Sequence, residues 1–250
     1  MKKSLIALIF MVAFASFATA QDLHFGFQMS PSFSKMKTEN AKINSAGTAT
    51  GLKLAVIAEN RFSQSYAIST GIGFHFNTGG RLQVDAPSRY WTKSWGNFDA
   101  KPTVKSDSAA FPKETQFRHS LNYVEIPLGL KMRTPETGSH VRYFAEPHIV
   151  LGILSNAKGA IAKSNNLDQE KINIKPDVGT FNLSWGIGGG VEYVISNNTA
   201  LVGGIYVQRG ISDVTKDSGV TFDADGKSNP RTDSSKGVIN SLTIRVGVMF

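Results

Sequence analysis

The sequence contains no cysteine among its 250 residues, which excludes disulfide bonds, thiolate metal sites and cysteine nucleophiles. After residue 20 it also lacks any uninterrupted apolar run of the ~20 residues that a membrane-spanning helix needs. A membrane span in this part of the chain would therefore have to be a β-strand. The sequence also lacks a cluster of charges of one sign, because its 27 basic and 19 acidic residues are interspersed. This pattern indicates solvated loop charge rather than a nucleic-acid-binding surface.

The first twenty residues have the order of a secretory signal peptide. Lys2 and Lys3 form a basic start, an apolar run follows from Leu5 to Phe17, and residues 18–20 form an A-x-A site. The apolar run is shorter than a spanning helix requires. We therefore expect residues 1–20 to be removed during export and residues 21–250 to form the mature protein.

A strict alternation of apolar residues with polar or small ones runs from Phe181 to Tyr193. Alternate side chains of a strand point to opposite faces, so the pattern predicts a β-strand with one apolar face. A soluble β-sandwich shows the same alternation, but several such segments here approach the ~9 to 11 residues of a tilted membrane strand. Seven further segments share the pattern, namely Leu23–Met29, Leu52–Ala58, Tyr66–Phe76, Val124–Arg133, Val141–Ile153, Leu201–Val207 and Leu242–Phe250.

Eight such strands predict an all-β fold, a transmembrane antiparallel up-and-down β-barrel. Ten strands are the alternative, if Leu82–Val84 and Tyr90–Thr92 form an additional hairpin. Short connections alternate with long polar ones, which is typical of barrels in the bacterial outer membrane, where the long loops are extracellular. The long loops are predicted near residues 35–47, 79–117, 155–179 and 212–236, and the short turns near 61–64, 135–139 and 196–198.

Two further features concern the predicted strands themselves. Tyr66, Tyr143 and Tyr193 each lie close to a short turn and on the apolar parity, which predicts an aromatic girdle at one membrane interface. Pro127 and Pro147 fall inside strands, where the missing N–H removes a ladder hydrogen bond. We expect bulges or irregular pairing at these two prolines.

Charged residues occupy the parity opposite to the apolar face. A charge on the lipid face near the midplane would cost about 2 to 4 kcal/mol, and an eight-stranded barrel encloses an interior just wide enough for side chains to fill. We therefore expect an ionic network that plugs the lumen, with a proton or solute path along the same charges as the alternative. Its predicted members are Lys53, Glu59, Glu125, Lys131, Arg133, Arg142, Glu146, His148, Glu192 and Arg245.

Catalytic chemistry has weak support among these residues. Glu125 with Glu146 or Glu192 could form an acid–base pair, and His148 with Ser184 a nucleophile pair. Neither pair has a sequence context that positions a substrate, and charged networks of this kind also occur as purely structural features. We therefore expect structural ion pairs and assign no catalytic residue.

Two glycine-containing motifs also fall short of a ligand site. Gly186–Gly190 lacks the Lys-Ser/Thr of a phosphate loop, and we expect its glycines to make room for bulky side chains across the lumen. Asp223–Gly226 lacks the later glutamate of a calcium loop. The sequence therefore predicts no metal and no cofactor.

Two segments carry a resemblance to a known family. Residues 122–131, NYVEIPLGLK, and residues 186–192, GIGGGVE, resemble the PorT-like outer-membrane β-barrel family, and the similarity extends over the mature chain. The resemblance implies an eight-stranded barrel and, for the namesake of the family, a role in protein export through the type IX secretion system. The expected function is thus a non-enzymatic barrel that displays loops or docks partners as an accessory to export, with a small-solute pore and an outer-membrane hydrolase as alternatives.

Residues outside the lumen suggest where partners bind. Trp91, Trp95 and Phe98 in the longest loop are candidate contacts, although they could also pack within the loop or rest on the membrane. Phe250 closes an alternating strand, which resembles the signal that the barrel assembly machinery reads. The expected partners are this machinery, outer-membrane lipid and lipopolysaccharide, and envelope or secretion-system proteins, but not nucleic acid.

Overall fold

Eight long strands form one antiparallel sheet that closes on itself. A computed structural model describes residues 23–99, 110–136, 138, 140–164, 166–196, 198–216, 219–222, 231–232 and 236–250. The strands are β1 Leu23–Thr38, β2 Ile43–Arg61, β3 Tyr66–Val84, β4 Gln116–Arg133, β5 Val141–Ala162, β6 Phe181–Ser196, β7 Thr199–Gly210 and β8 Gly237–Met249. Each strand pairs with its neighbours in sequence, and β1 pairs with β8. The predicted eight-stranded up-and-down barrel is therefore confirmed.

The additional hairpin of the ten-stranded alternative is absent from the described part of the barrel. Leu82–Val84 belongs to the end of β3, and the next strand, Ser88–Arg89, pairs outside the barrel with Val220–Thr221. A further short strand, Gln169–Asn173, pairs with β5. Among the described residues, no helix is long and apolar enough to span a membrane. The predicted signal peptide, residues 1–20, lies outside the described residues.

The outward-facing side chains form a continuous apolar belt around the barrel. A water-soluble monomer rarely exposes so much contiguous apolar surface, whereas lipid is a favourable environment for it. Exposed members of this apolar belt, one from each strand, are Phe27, Leu54, Phe74, Leu128, Ile149, Ile187, Ile205 and Val246.

Aromatic side chains border the apolar belt at both ends. Tyr66, Tyr143 and Tyr193 lie exposed at the end of the barrel that carries the short β2–β3, β4–β5 and β6–β7 turns. At the opposite, long-loop end, Phe33, Phe76 and Phe181 are also exposed, and the sequence did not single them out. These rings mark the two levels where the membrane interfaces would lie.

The strands continue well beyond the apolar belt at the long-loop end. The predicted bounds of three long loops are therefore wrong, because residues assigned to these loops belong to the strands. Residues 35–47 were expected to form a long loop, yet only residues 39–42 connect β1 to β2. Likewise, the β3–β4 connection is residues 85–115, and the β5–β6 connection is residues 163–180. The reason is that outward side chains above the belt meet water, so a paired strand there has a polar face and resembles a loop. The expected 212–236 loop is described only in part.

Both prolines interrupt a ladder without shifting its register. Pairing of β3 with β4 is broken between Thr70–Leu128 and Gly73–Glu125, around Pro127. Pairing of β4 with β5 is likewise broken around Pro147 but resumes in the same register. The irregular pairing that the missing N–H predicts is present at both sites, while a bulge is present at neither.

Above the apolar belt, the interior of the barrel is a mainly apolar core. Parts of the 85–115 and 163–180 connections fold over the opening and pack on inward-facing residues of the strand ends, and we call this region the cap. Its buried core includes Met36, Ile43, Leu82, Tyr90, Trp91, Phe98, Phe111, Phe117, Leu121, Tyr123, Leu154, Ile161, Ile172, Ile174 and Ile239.

Candidate functional site

The lumen inside the apolar belt holds three successive layers of paired polar side chains. The layer closest to the short turns, the rim layer, contains Glu59, Lys131, Arg133 and Glu192, all buried. Lys131 Nζ and Arg133 Nη2 each donate to Glu59 at 2.5 Å. Lys131 also contacts Glu192, and Arg133 Nη2 lies 3.6 Å from that carboxylate. Glu192 is thus held by charge contacts rather than by a well-aligned hydrogen bond.

The middle layer is built around the buried Glu146 carboxylate on β5. Arg245 on β8 pairs with it at 2.9 Å, and Ser69 on β3 donates to it at 2.7 Å. The Tyr206 hydroxyl on β7 donates to the same carboxylate at 2.5 Å. The Arg245 guanidinium also stacks 3.7 Å above the Tyr206 ring. A single carboxylate therefore joins four strands.

A glycine on β6 provides the space for this tyrosine. A Cβ atom on Gly188 would lie 2.1 Å from Cδ1 of Tyr206. Any side chain at this position would push the Tyr206 ring away from Glu146. This close approach agrees with the expectation that glycines of the Gly186–Gly190 segment make room for bulky lumen residues.

The upper layer contains Lys53, Glu125 and His75. Lys53 Nζ lies 3.0 Å from Glu125 and donates to Gln208 at 2.6 Å. His75 places Nδ1 2.9 Å from Glu125 and Nε2 2.8 Å from the Ser32 hydroxyl. Across the three layers, four carboxylates face four Lys or Arg cations, so the formal charges balance. The acidic members are Glu59, Glu125, Glu146 and Glu192, and the basic members are Lys53, Lys131, Arg133 and Arg245.

Two predicted network members lie outside these ion pairs. Arg142 is only partly buried and donates to Glu136 in the β4–β5 turn at 2.9 Å. Hydrogen bonds from His140 and from Arg142 hold the pKa of Glu136 below its usual value. His148 faces the lumen but directs Nδ1 to the backbone oxygen of Glu146 at 3.1 Å. Arg142 is the second residue of its strand, which begins at Val141. Its side chain therefore pairs with the adjacent turn and not with the lumen layers.

Sequence reasoning missed several neutral lumen residues that complete the layers. Ser69, His75, Tyr206 and Gln208 bond to the charged groups, and Ser32 bonds to His75. Each of them lies on the inward parity of its strand, and this parity is the signal that could have found them. They carry no formal charge, so the charge pattern of the inward parity does not distinguish them.

The lumen has almost no free volume between its layers. A cavity of about 40 Å³ separates the middle and upper layers and is lined by Lys53, Glu125, Glu146, Tyr206 and Arg245, among others. This volume suits a water molecule or two and is far too small for an organic solute.

The acid–base and nucleophile pairs that the sequence supports only weakly are not formed among the described residues, but a different arrangement is. His148 bonds to the chain rather than to Ser184, and Glu146 is engaged by Arg245, Ser69 and Tyr206. Instead, Ser32, His75 and Glu125 lie in a row with the order of a serine nucleophile, base and orienting carboxylate. Ser32 is fully buried, however, and its environment offers no space for a substrate.

The loop aromatics proposed as partner contacts are part of the cap. Trp91 is 3% exposed and Phe98 5% exposed, while Trp95 packs partly buried beside them. Trp91 Nε1 donates to His119 Nε2 at 3.1 Å, and its ring meets Phe117 edge-on at 5.1 Å. Burial prevents Trp91 and Phe98 from contacting a partner directly, and the alternative of packing within the loop is the one observed.

Phe250 extends the seam between β1 and β8. Its N–H donates to the Phe25 oxygen at 2.7 Å, and the Phe25 N–H donates back at 3.2 Å. The Phe250 ring is exposed at the short-turn end of the apolar belt. Recognition by the assembly machinery stays a prediction.

Comparison with known proteins gives a family and distant structural similarities. A sequence model of the family described as outer membrane protein beta-barrel domain matches residues 18–216. No curated protein matches the chain.

Three solved structures illustrate the distant similarity. A major outer membrane protein from Thermus thermophilus is 15% identical, with 92% of this chain and 99% of that chain covered and a TM-score of 0.40. Neisserial surface protein A is 13% identical, with 90% and 95% covered and a TM-score of 0.39. The outer membrane protease OmpT from Escherichia coli is 7% identical, with 93% and 97% covered and a TM-score of 0.41. At these TM-scores the similarities carry no functional argument.

The middle layer generates a stability prediction. Glu146→Gln should destabilise the barrel by roughly 3 to 5 kcal/mol, because it leaves the Arg245 guanidinium buried without its counter-charge. The double variant Glu146→Gln/Arg245→Met should be more stable than Glu146→Gln alone, since the unpaired charge is also removed. Urea unfolding in lipid vesicles, followed by tryptophan fluorescence, measures both free energies.

The matched control for this experiment is Glu136→Gln, which removes a carboxylate from the exposed pair with Arg142 and should leave the unfolding free energy unchanged. A Glu146→Gln protein as stable as this control would contradict the structural role of the middle layer.

Proposed function

Since the chain belongs to the outer membrane protein beta-barrel domain family, we propose that it is a non-enzymatic outer-membrane protein that docks other envelope proteins through its cap. Family membership supports the location in the bacterial outer membrane. We further propose that the chain is exported through the periplasm and inserted by the barrel assembly machinery. Its long-loop end is then extracellular. Outer-membrane lipid and lipopolysaccharide are its proposed surroundings.

The observation that carries this proposal is the filled lumen beneath a folded cap. Three ionic layers and an apolar core occupy the interior, and the cavity between the middle and upper layers is about 40 Å³. A small-solute pore needs a continuous water-filled path, which these layers oppose. The long connections instead pack together into an ordered surface. Within it, the Asn97 side-chain amide donates to the backbone oxygen of Asn173 at 2.7 Å. Such preorganisation favours specific protein binding.

An accessory role in protein export is the finer part of the proposal. It is supported by the resemblance of residues 122–131 and 186–192 to the PorT-like family, whose namesake acts in type IX secretion. A non-conducting barrel fits such a role because an anchored docking platform does not need its own channel. The proposed partners are therefore secretion-system or other envelope proteins.

Site-specific photo-crosslinking in living cells tests the docking proposal. A photoreactive amino acid at Lys93 or Lys113, which are exposed on the cap, should capture envelope proteins that mass spectrometry identifies. The matched control carries the same probe at Gln64, which is exposed in the β2–β3 turn. Identical proteins captured from all three positions would contradict docking through the cap. Capture from the cap together with unchanged secreted proteins after gene deletion would retain docking and remove the export role.

A hydrolase is the second candidate, and the row of Ser32, His75 and Glu125 is the observation that favours it. The distances of 2.8 and 2.9 Å suit proton transfer from a serine through a histidine. The complete burial of Ser32 argues against it, because a substrate carbonyl cannot approach the hydroxyl. The interaction of Glu125 with Lys53 at 3.0 Å is consistent with a structural pair.

A fluorophosphonate probe separates these two possibilities. We expect the folded protein to remain unlabelled, because Ser32 Oγ is enclosed by the lumen side chains. Labelling of the wild type that is lost in Ser32→Ala and in His75→Ala, but kept in Ser30→Ala, would establish the hydrolase instead. Ser30 is an equally buried serine on the same strand and serves as the matched control.

A further inference from the structure

A polar row that contains two outward-facing cations lies directly above the apolar belt, with one residue on each of β1, β8 and β7. Lys35 pairs with Asn240, and Asn240 pairs with Arg209, so the three residues form one row across the seam. The row two residues closer to the middle of the barrel is apolar. It consists of Phe33, Leu242 and Val207, which pair with one another in the same way.

The spacing between the two rows matches that of a lipid interface. Two residues along a strand correspond to about 7 Å, and the strands are tilted in a barrel of this type. Lys and Arg side chains extend further, with their charged ends in the polar layer and their stems on apolar surface. Lys35 and Arg209 are therefore placed at the level of lipid headgroups.

A groove on the outer wall adjoins this row, and we call it the lateral groove. It has a volume of about 440 Å³ and lies over β8 between β1 and β7. Its floor includes Val207 and Val238, and Val207 itself belongs to the apolar row. The lining residues are Lys37, Thr38, Glu39, Val207, Gln208, Arg209, Lys236, Val238 and Asn240.

The cations of this region have no carboxylate partner within the part of the chain that the structure describes. Lys35, Lys37, Arg209 and Lys236 take part in none of its ion pairs. Glu39 is the acidic residue that lines the groove. By contrast, the four Lys and Arg cations of the lumen layers are all paired. The lateral groove thus combines excess positive charge with an apolar floor.

We propose that the lateral groove binds the phosphate of an outer-leaflet glycolipid of the lipid A type. Arg209 offers a planar fork that matches phosphate geometry, and Lys37 and Lys236 add point charges. The acyl chain of the same lipid lies along Val207 and the apolar belt below it. A soluble phosphate would leave the apolar floor unused, whereas a phosphorylated lipid uses both parts. This inference rests on the proposed orientation, with the long-loop end in the outer leaflet.

Native mass spectrometry of the purified mature barrel in detergent tests the proposal. Diphosphoryl lipid A should bind in a one-to-one complex, and the same lipid without phosphates should bind about 10- to 100-fold more weakly. Lys37→Gln/Arg209→Gln/Lys236→Gln should weaken diphosphoryl lipid A binding by a similar factor, because three cations near the headgroup are lost. Glu39→Gln should tighten binding, since it removes the opposing charge.

The matched control is Lys93→Gln/Lys113→Gln/Lys163→Gln, which removes three exposed cations from the cap and should leave lipid binding unchanged. A heat-modifiable shift on a gel verifies that every variant is folded. Equal weakening by the control and groove variants, equal binding of the dephosphorylated lipid, or full displacement by millimolar inorganic phosphate would each overturn the proposal.

The absence of cysteine allows the orientation to be tested separately. Lys113→Cys on the cap should react with an impermeant maleimide in whole cells. If it reacts while lipid A does not bind, the lateral groove proposal fails and the docking proposal stands. If it does not react, the long-loop end is not extracellular, and both proposals fail whatever the lipid affinity.

Discussion

The seam between β1 and β8 is the constraint on which the rest of the structure depends. In the hydrocarbon core of a membrane no water can satisfy a backbone N–H or C=O group, so every strand needs a partner on both sides. The seam runs from Gly26 opposite Met249 to Thr38 opposite Gly237 and removes the two edges of the sheet. Once the sheet is closed, each strand has one face towards lipid and one face towards a narrow lumen. The positions of the apolar and charged residues follow from this division.

The same strands serve two opposite environments along their length. Inside the apolar belt, β4 directs Lys131 and Glu125 into the lumen, and their charges are balanced across the barrel. Above the belt, β4 directs Leu121 and Phe117 inwards, and the outward residues become polar. The interior therefore changes from ionic layers to the apolar core of the cap at the level where the surroundings change from lipid to water. The cap can be regarded as a small water-soluble core built on a membrane anchor.

The sequence was sufficient for the parts of the structure that depend on parity. The alternation from Phe181 to Tyr193 predicted a strand and its lipid face, and the same parity placed Glu59, Lys131 and Glu146 in the lumen. The alternation pattern was insufficient above the apolar belt, where the outward face of a strand becomes polar and the inward face becomes apolar. Residues 35–47 resemble a loop because Lys35 and Lys37 form a polar outward face, although Met36 between them is buried in the cap. The burial of Trp91 and the row of Ser32, His75 and Glu125 depend on tertiary packing, which no local pattern contains.

The central claim is that the lumen is closed, so that the barrel acts as an anchor for its outer surfaces. Planar-bilayer recording of the purified, folded protein tests it most directly, with a general porin reconstituted in parallel to show that channels would be detected. The account predicts no single-channel steps, because three ionic layers and the cap fill the interior. Reproducible steps of uniform size from the wild-type protein would contradict it and would favour the pore.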